Sequence, residues 1–290
     1  MVENNTPNIN WYPGHMTKAR RAMQEDIKLI DLVIELLDAR IPLASRNPDI
    51  DSMSANKKRM ILLNKADLAN ETITLKWIKY FKDLGYEVVP LDSRNRNKMN
   101  DVLSSVMVAC KDKIERDRKR GILNRPIRAM IVGIPNVGKS TFINSFAKKA
   151  VAKTGNKPGV TKGKQWIRLN KDVELLDTPG ILWPKFEDKE VGVKLALIGS
   201  INDQILNIEE LSLDLIERLR KISPGLVSGR FEVEEEGSAY EVLENIGRRR
   251  GALKKGSEID TEKAANILID EYRSGKLGRI SLEVPKEESI

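Results

Sequence analysis

The stretch Gly133-Ile134-Pro135-Asn136-Val137-Gly138-Lys139-Ser140 constrains the fold of this chain more than any other. An apolar run, Met130-Ile131-Val132, precedes it, and Thr141-Phe142-Ile143-Asn144-Ser145-Phe146 follows in helical spacing. Strand, glycine loop, helix at the spacing Gly, four residues, Gly-Lys-Ser is a phosphate-binding pattern. Gly133 and Gly138, with Pro135 shaping the loop, let the backbone N–H groups of Asn136, Val137, Gly138, Lys139, Ser140 and Thr141 turn toward phosphate oxygens. The helix N-terminus adds its positive end. Lys139 would reach the β- and γ-phosphates, and Ser140 would ligate Mg²⁺. Such a loop lies at the carboxyl end of a parallel strand, so the expected fold class is α/β with a parallel sheet.

The remaining strands are read from short apolar runs. Ile30–Leu37 is nearly continuous, as in a strand covered on both faces. Met60–Leu63, Tyr86–Leu91 and Val173–Leu176 are shorter, and Gln165–Leu169 alternates like an edge strand. Helical spacing is expected over 16–29, 71–84 and 97–116, with Leu75, Ile78 and Phe81 or Leu84 facing inward in the second of these. Residues 111–128 form a basic connector. Beyond about Lys185 only helical spacing recurs, over 187–199, 206–221, 238–247 and 260–274, with a short strand expected over 277–284. Two domains follow: 1–185, with an arm over 1–16, and 186–290. Charge divides the same way. Residues 1–185 hold 34 Lys or Arg against 20 Asp or Glu, a net of +14, and residues 186–290 hold 16 against 22, a net of −6. A basic, nucleotide-binding domain fits a polyanionic partner, RNA before DNA. A single cysteine, Cys110, suits a reducing cytoplasm, and no apolar run is long enough to span a membrane.

Three further pieces complete a nucleotide site. Asn64-Lys65-Ala66-Asp67 ends the second strand. Asp67 can accept from the N1–H and the 2-amino group of guanine, a donor pair that adenine lacks. Asn64 can brace the phosphate loop, and the Lys65 stem can cover the base. In Asp177-Thr178-Pro179-Gly180, Asp177 would hold Mg²⁺ and the Gly180 N–H would sense the γ-phosphate. Thr161, with Thr154 as competitor, would add a Mg²⁺ ligand from the aperiodic segment between loop and strand. Ser93, after the third strand, would offer its N–H to the guanine carbonyl. The ligands expected are therefore GTP or GDP with Mg²⁺.

The order of these pieces is unusual, because the guanine motif precedes the phosphate loop. Circular permutation of a Ras-like sheet accounts for it, with the 111–128 stretch joining the old termini. The new cut falls just after Asp177-Thr178-Pro179-Gly180, so the 186–290 domain would anchor that switch and receive its movement. Taken with Trp11-Tyr12-Pro13-Gly14-His15-Met16, Asp38-Ala39-Arg40 and Asp-Thr-Pro-Gly-Ile-Leu-Trp-Pro-Lys, this order resembles the circularly permuted ribosome biogenesis GTPase A family. The resemblance implies a GTPase that assists assembly of the large ribosomal subunit, with a helical C-terminal domain that contacts rRNA, through local patches such as Arg248-Arg249-Arg250 with Lys254 and Lys255. It departs from the family pattern at 92–100, which is expected to be rich in small residues and here carries the charged Arg94, Arg96 and Lys98.

The position after Asp-Thr-Pro-Gly is Ile181, which cannot orient water as a glutamine does. The resemblance points to His15, the one histidine, either as the water-orienting residue or as an anchor of the arm. Asn136, in the phosphate loop, matches the position where potassium-dependent GTPases hold K⁺. Intrinsic hydrolysis is expected to be slow and to be stimulated by the ribosomal subunit, the protein being a cytoplasmic monomer. Two other readings stay open: an RNA-binding scaffold with a regulatory GTP site, and a small-subunit or tRNA-related GTPase.

Overall fold

The computed structural model describes residues 21–123, 125–147, 165–178 and 188–286. They form two compact units, one from residues up to 178 together with 283–286, the other from 188–282.

The first unit begins with helix α1, seen over 21–26, and runs β1 (Leu32–Asp38), α2 (Asp49–Met53), β2 (Lys58–Asn64), α3 (Glu71–Asp83) and β3 (Glu87–Leu91). It continues with α4 (Met99–Ala109), α5 (Lys111–Lys119), β4 (Ile127–Val132), α6 (Lys139–Phe146), β5 (Gln165–Arg168) and β6 (Val173–Asp177). The six strands lie in the order β3-β2-β1-β4-β6-β5. All pairs are parallel except β5 with β6. Every residue of β1 is buried, as its apolar run requires of an inner strand. Pro90, which cannot donate to a ladder, sits on the edge strand β3. The strand that carries the phosphate loop, β4, is central although it comes fourth in the chain. If the chain were cut in the α5 connection and β6 rejoined to β1, the loop would come first and the Asn64 strand later, which is the permuted arrangement.

Core packing corrects the phase of α3. Thr74, Trp77 and Phe81 face inward, whereas Leu75 and Leu84 are 62 % and 53 % exposed. The three aromatics Trp77, Tyr80 and Phe81 lie in mutual ring contact, and their area decides which stripe is buried. Residues 97–116 do not form one helix. The chain breaks at buried Cys110, and the first half of the basic connector is itself helical, as α5.

No strand forms over 277–284 among the described residues. Glu283 instead returns to the first unit. Its carboxylate accepts the N–H groups of Leu43, at 2.8 Å, and Ala44, at 3.2 Å, while its carbonyl accepts the Trp77 indole N–H at 3.2 Å. Two adjacent N–H donors that no strand partner can reach outcompete a short edge pairing.

The second unit is helical: α7 (Lys189–Leu197), α8 (Ile208–Ile222), α9 (Leu226–Phe231), α10 (Ala239–Arg249) and α11 (Thr261–Ser274). In α11 the buried stripe contains Ala264, Ala265, Leu268, Ile269 and Tyr272, as the spacing predicts, and Gly275 closes it at φ 79°. Helix α9 is additional to the expected set. Glu235, from a run that reads as a plain solvated loop, accepts the N–H groups of Gly225 and Ser228 and so caps it.

Candidate functional site

The carboxyl ends of β1, β2, β4 and β6 carry the site. The loop between β4 and α6 is folded as its glycines require. A Cβ on Gly133 would lie 2.6 Å from the Leu36 carbonyl oxygen, and one on Gly138 would collide with Asn64 Nδ2. Gly138 has φ 103° and Asn136 φ 58°, both left-handed. Pro135 and Val137 are buried, Asn136 is exposed, and Ser140 and Thr141 are half-buried in the first turn of α6.

Lys139 is buried. Its Nζ donates to the carbonyls of Gly133, at 2.8 Å, and Ile134, at 3.0 Å, which curls the side chain back along the loop. Burial pulls its amine down to about 8, against the opposing charge of Asp177. Asp177 ends β6 in register with Ile131 of β4, and Thr178 Oγ1 donates to the Ile131 carbonyl at 2.6 Å. Burial pushes the Asp177 carboxyl up, and Lys139 and the Thr178 N–H offset this only in part. An incompletely compensated carboxylate beside a phosphate loop, with the Ser140 hydroxyl at the helix start, is a donor set that fits a divalent cation. Among the described residues there is no cluster of three His, Cys, Asp or Glu that would bind a metal without a phosphate.

The guanine motif is tied directly to this loop. Asn64 Nδ2 donates to the Val137 carbonyl at 2.6 Å, and Lys65, at φ 57°, donates from Nζ to the Asn136 carbonyl at 2.9 Å. A change at either end is felt at the other, because the buried amide would lose its partner. Ser93 takes a different role from the expected one. Its N–H and Oγ both donate to Asn64 Oδ1, at 2.9 and 2.7 Å. The N–H is spent orienting Asn64 and is not presented to a base carbonyl, since a buried amide oxygen needs these donors. Asp67 is half-buried, with Oδ2 2.6 Å from Arg94 Nη2 and Oδ1 buried without a hydrogen-bond partner.

One functional group was not singled out for its chemistry. Asp38, fully buried at the end of β1, accepts Arg40 Nε at 2.9 Å and Nη2 at 2.8 Å, and lies 3.0 Å from Lys65 Nζ. It holds the lysine that holds the loop. The available signal was an acid and a base two residues apart at the end of an otherwise apolar strand. In the second unit, the Arg248–Arg250 cluster is largely engaged: Arg248 with Glu244, Arg249 with Glu232, and Arg250 with Glu271. His15, Thr154, Thr161 and Gly180 lie outside the described residues.

Residues 128–229 match the family described as 50S ribosome-binding GTPase. The chain is 47 % identical over 280 residues to the ribosome biogenesis GTPase A of Bacillus cereus, covering 96 % of this chain and 95 % of that one. The GDP-bound structure of TM YlqF is similar at TM-score 0.69 and 31 % identity, over 92 % of this chain and all of that one. The GNP-bound YlqF from T. maritima is similar at TM-score 0.68 and 31 % identity, over 93 % and 99 %.

Proposed function

This chain belongs to the ribosome biogenesis GTPase A family, and we propose that it is a GTP-hydrolysing assembly factor for the large ribosomal subunit. The observation that carries this reading is the pair of bonds from Asn64 and Lys65 to the loop at Val137 and Asn136, which join the base-reading strand end to the phosphate cradle. In this reading Asp67 accepts from the guanine edge. Pro135 shapes the loop, and the loop N–H groups from Asn136 to Thr141 and the Lys139 amine bind the phosphates, the lysine exchanging its carbonyl partners for phosphate oxygens. Ser140, Thr161 and Asp177 would hold Mg²⁺, which would supply charge neutralisation at the phosphate oxygens. Asn136, exposed at the loop tip, holds K⁺, and Gly180 senses the γ-phosphate.

The chain has Ile181 where a water-orienting side chain is needed. His15 supplies that function when the arm docks on the subunit, so hydrolysis is slow alone and stimulated by the partner. The basic residues of the first unit contact rRNA, and the protein works in the cytoplasm as a monomer.

GTP turnover by the purified protein tests this, with large subunits, with small subunits and alone, in KCl and in NaCl at equal ionic strength. A rise with large subunits only, greater in KCl and lost in His15→Ala while GTP binding is kept, is expected. Intact binding with no rise from either subunit would overturn the switch and leave an RNA-binding scaffold.

A further inference from the structure

The Arg94 side chain spans two carboxylates. Its Nε donates to Asp92 Oδ1 at 2.9 Å and its Nη2 to Asp92 Oδ2 at 3.0 Å, a bidentate grip that fixes the guanidinium plane. The Arg94 backbone N–H also donates to Asp92 Oδ1, at 3.0 Å. From that fixed plane, Nη2 reaches Asp67 Oδ2 at 2.6 Å. The two oxygens of Asp67 are therefore unequal. Oδ2 is engaged by a cation, and Oδ1 is buried with no partner among the described residues.

A carboxylate reads guanine best with both oxygens, one for N1–H and one for the 2-amino group. An oxygen already held by a guanidinium is a weaker and more crowded acceptor. We propose that Arg94 sets how strictly the base is read. By occupying Asp67 Oδ2 it competes with the purine edge for that oxygen, and it relaxes discrimination against purines that lack the 2-amino group. This inference rests on the reading that Asp67 meets the base. Arg94 is thus a positioning residue for selectivity.

Hypoxanthine differs from guanine by that one amino group, so GDP and IDP are the probes. Their dissociation constants are compared for the full chain and for Arg94→Ala, at about 0.1 M and about 0.5 M salt. The GDP preference over IDP is expected to widen about tenfold in Arg94→Ala, as Oδ2 is released for a charge-assisted hydrogen bond. High salt should widen the preference of the unmodified chain toward the same value and leave the variant unmoved, because the Arg94–Asp67 pair is exposed enough to be screened. A purely structural role for Arg94 would lower both affinities together. An unchanged or narrowed ratio in Arg94→Ala overturns the proposal. Asp67→Asn separates the two readings: if it leaves GDP binding intact, the base is not read at Asp67 at all, and the site assignment fails before Arg94 is at issue.

Discussion

Asp38 and Asp177 end the two strands that flank β4, and the fold treats their charges in opposite ways. Both are buried. Burial alone would raise either carboxyl. At Asp38 the charges and hydrogen bonds of Arg40 and Lys65 outweigh it and hold the group well below the usual carboxylate range. At Asp177 burial wins, because among the described residues Lys139 is the opposing charge that acts on it and gives its hydrogen bonds to backbone carbonyls. Asp38 is complete within the protein, and its work is to brace Lys65 against the loop. Among the described residues Asp177 is left short of positive charge, which suits its proposed place as a Mg²⁺ ligand. Two aspartates of similar burial therefore differ in electrostatic state through the cations supplied to each.

The strongest way to break this contrast is to remove the complete one. Asp38→Ala leaves the Arg40 guanidinium buried beside an absent partner, and should cost about 3–5 kcal/mol in denaturant unfolding. A loss under about 1 kcal/mol would show that Arg40 escapes to water and that Asp38 is no keystone. Next is Glu283. Its carboxylate caps the Leu43 and Ala44 N–H groups, in the loop whose Ser45 Oγ accepts the Asp38 N–H at 3.0 Å. Glu283→Ala should cost about 1–3 kcal/mol by stranding those donors, with nucleotide affinity little changed.

Acid sharpens the contrast further. Asp38 has a folded pKa below its unfolded value, so its stabilisation is present above about pH 4 and drains away as pH falls. Between pH 5 and pH 3 about 1 kcal/mol of stability should be lost through this group, and that part of the slope should vanish in Asp38→Asn. Asp177 has the opposite sign, since its raised folded pKa penalises the ionised form above the ordinary carboxylate range. Its contribution therefore improves on acidification, which paired unfolding curves of Asp38→Asn and Asp177→Asn at each pH will separate.

What could be read beforehand follows the range of the forces involved. The inner strands announce themselves because burial on both faces demands continuous apolar runs, and the phosphate loop because its φ values and close approaches demand glycine at 133 and 138. The pairing of Asn64 with Val137 could be foreseen as a brace because the fold brings strand ends together. Partners chosen by tertiary packing could not. Nothing local says that Ser93 turns its N–H to Asn64, that Arg94 bridges Asp92 and Asp67, or that Glu283 reaches across some 240 residues to Leu43. The phase of α3 failed for a related reason: Leu75 and Trp77 lie on different stripes, and only the shape of the neighbouring surface selects the aromatic one. The roles of His15, Thr161 and Gly180 rest on sequence alone.

The smallest effect expected on stability is also the most informative. Asp177→Asn removes a carboxylate whose ionised form is disfavoured by burial and leaves Lys139 bonded to Gly133 and Ile134. The two consequences oppose each other, relief from desolvation against loss of one favourable charge contact, so unfolding free energy should move by less than about 1 kcal/mol in either direction. Nucleotide binding should move much more. The part of the GDP affinity that depends on added Mg²⁺ should disappear, while the Mg²⁺-independent part remains with the loop N–H groups and Lys139. Calorimetric titration with and without Mg²⁺ reads both parts. If stability instead falls as far as in Asp38→Ala, then Asp177 is a structural partner of Lys139 and the two aspartates are alike. If stability holds and the Mg²⁺ dependence survives, the cation is held elsewhere, and the uncompensated charge on β6 needs another explanation.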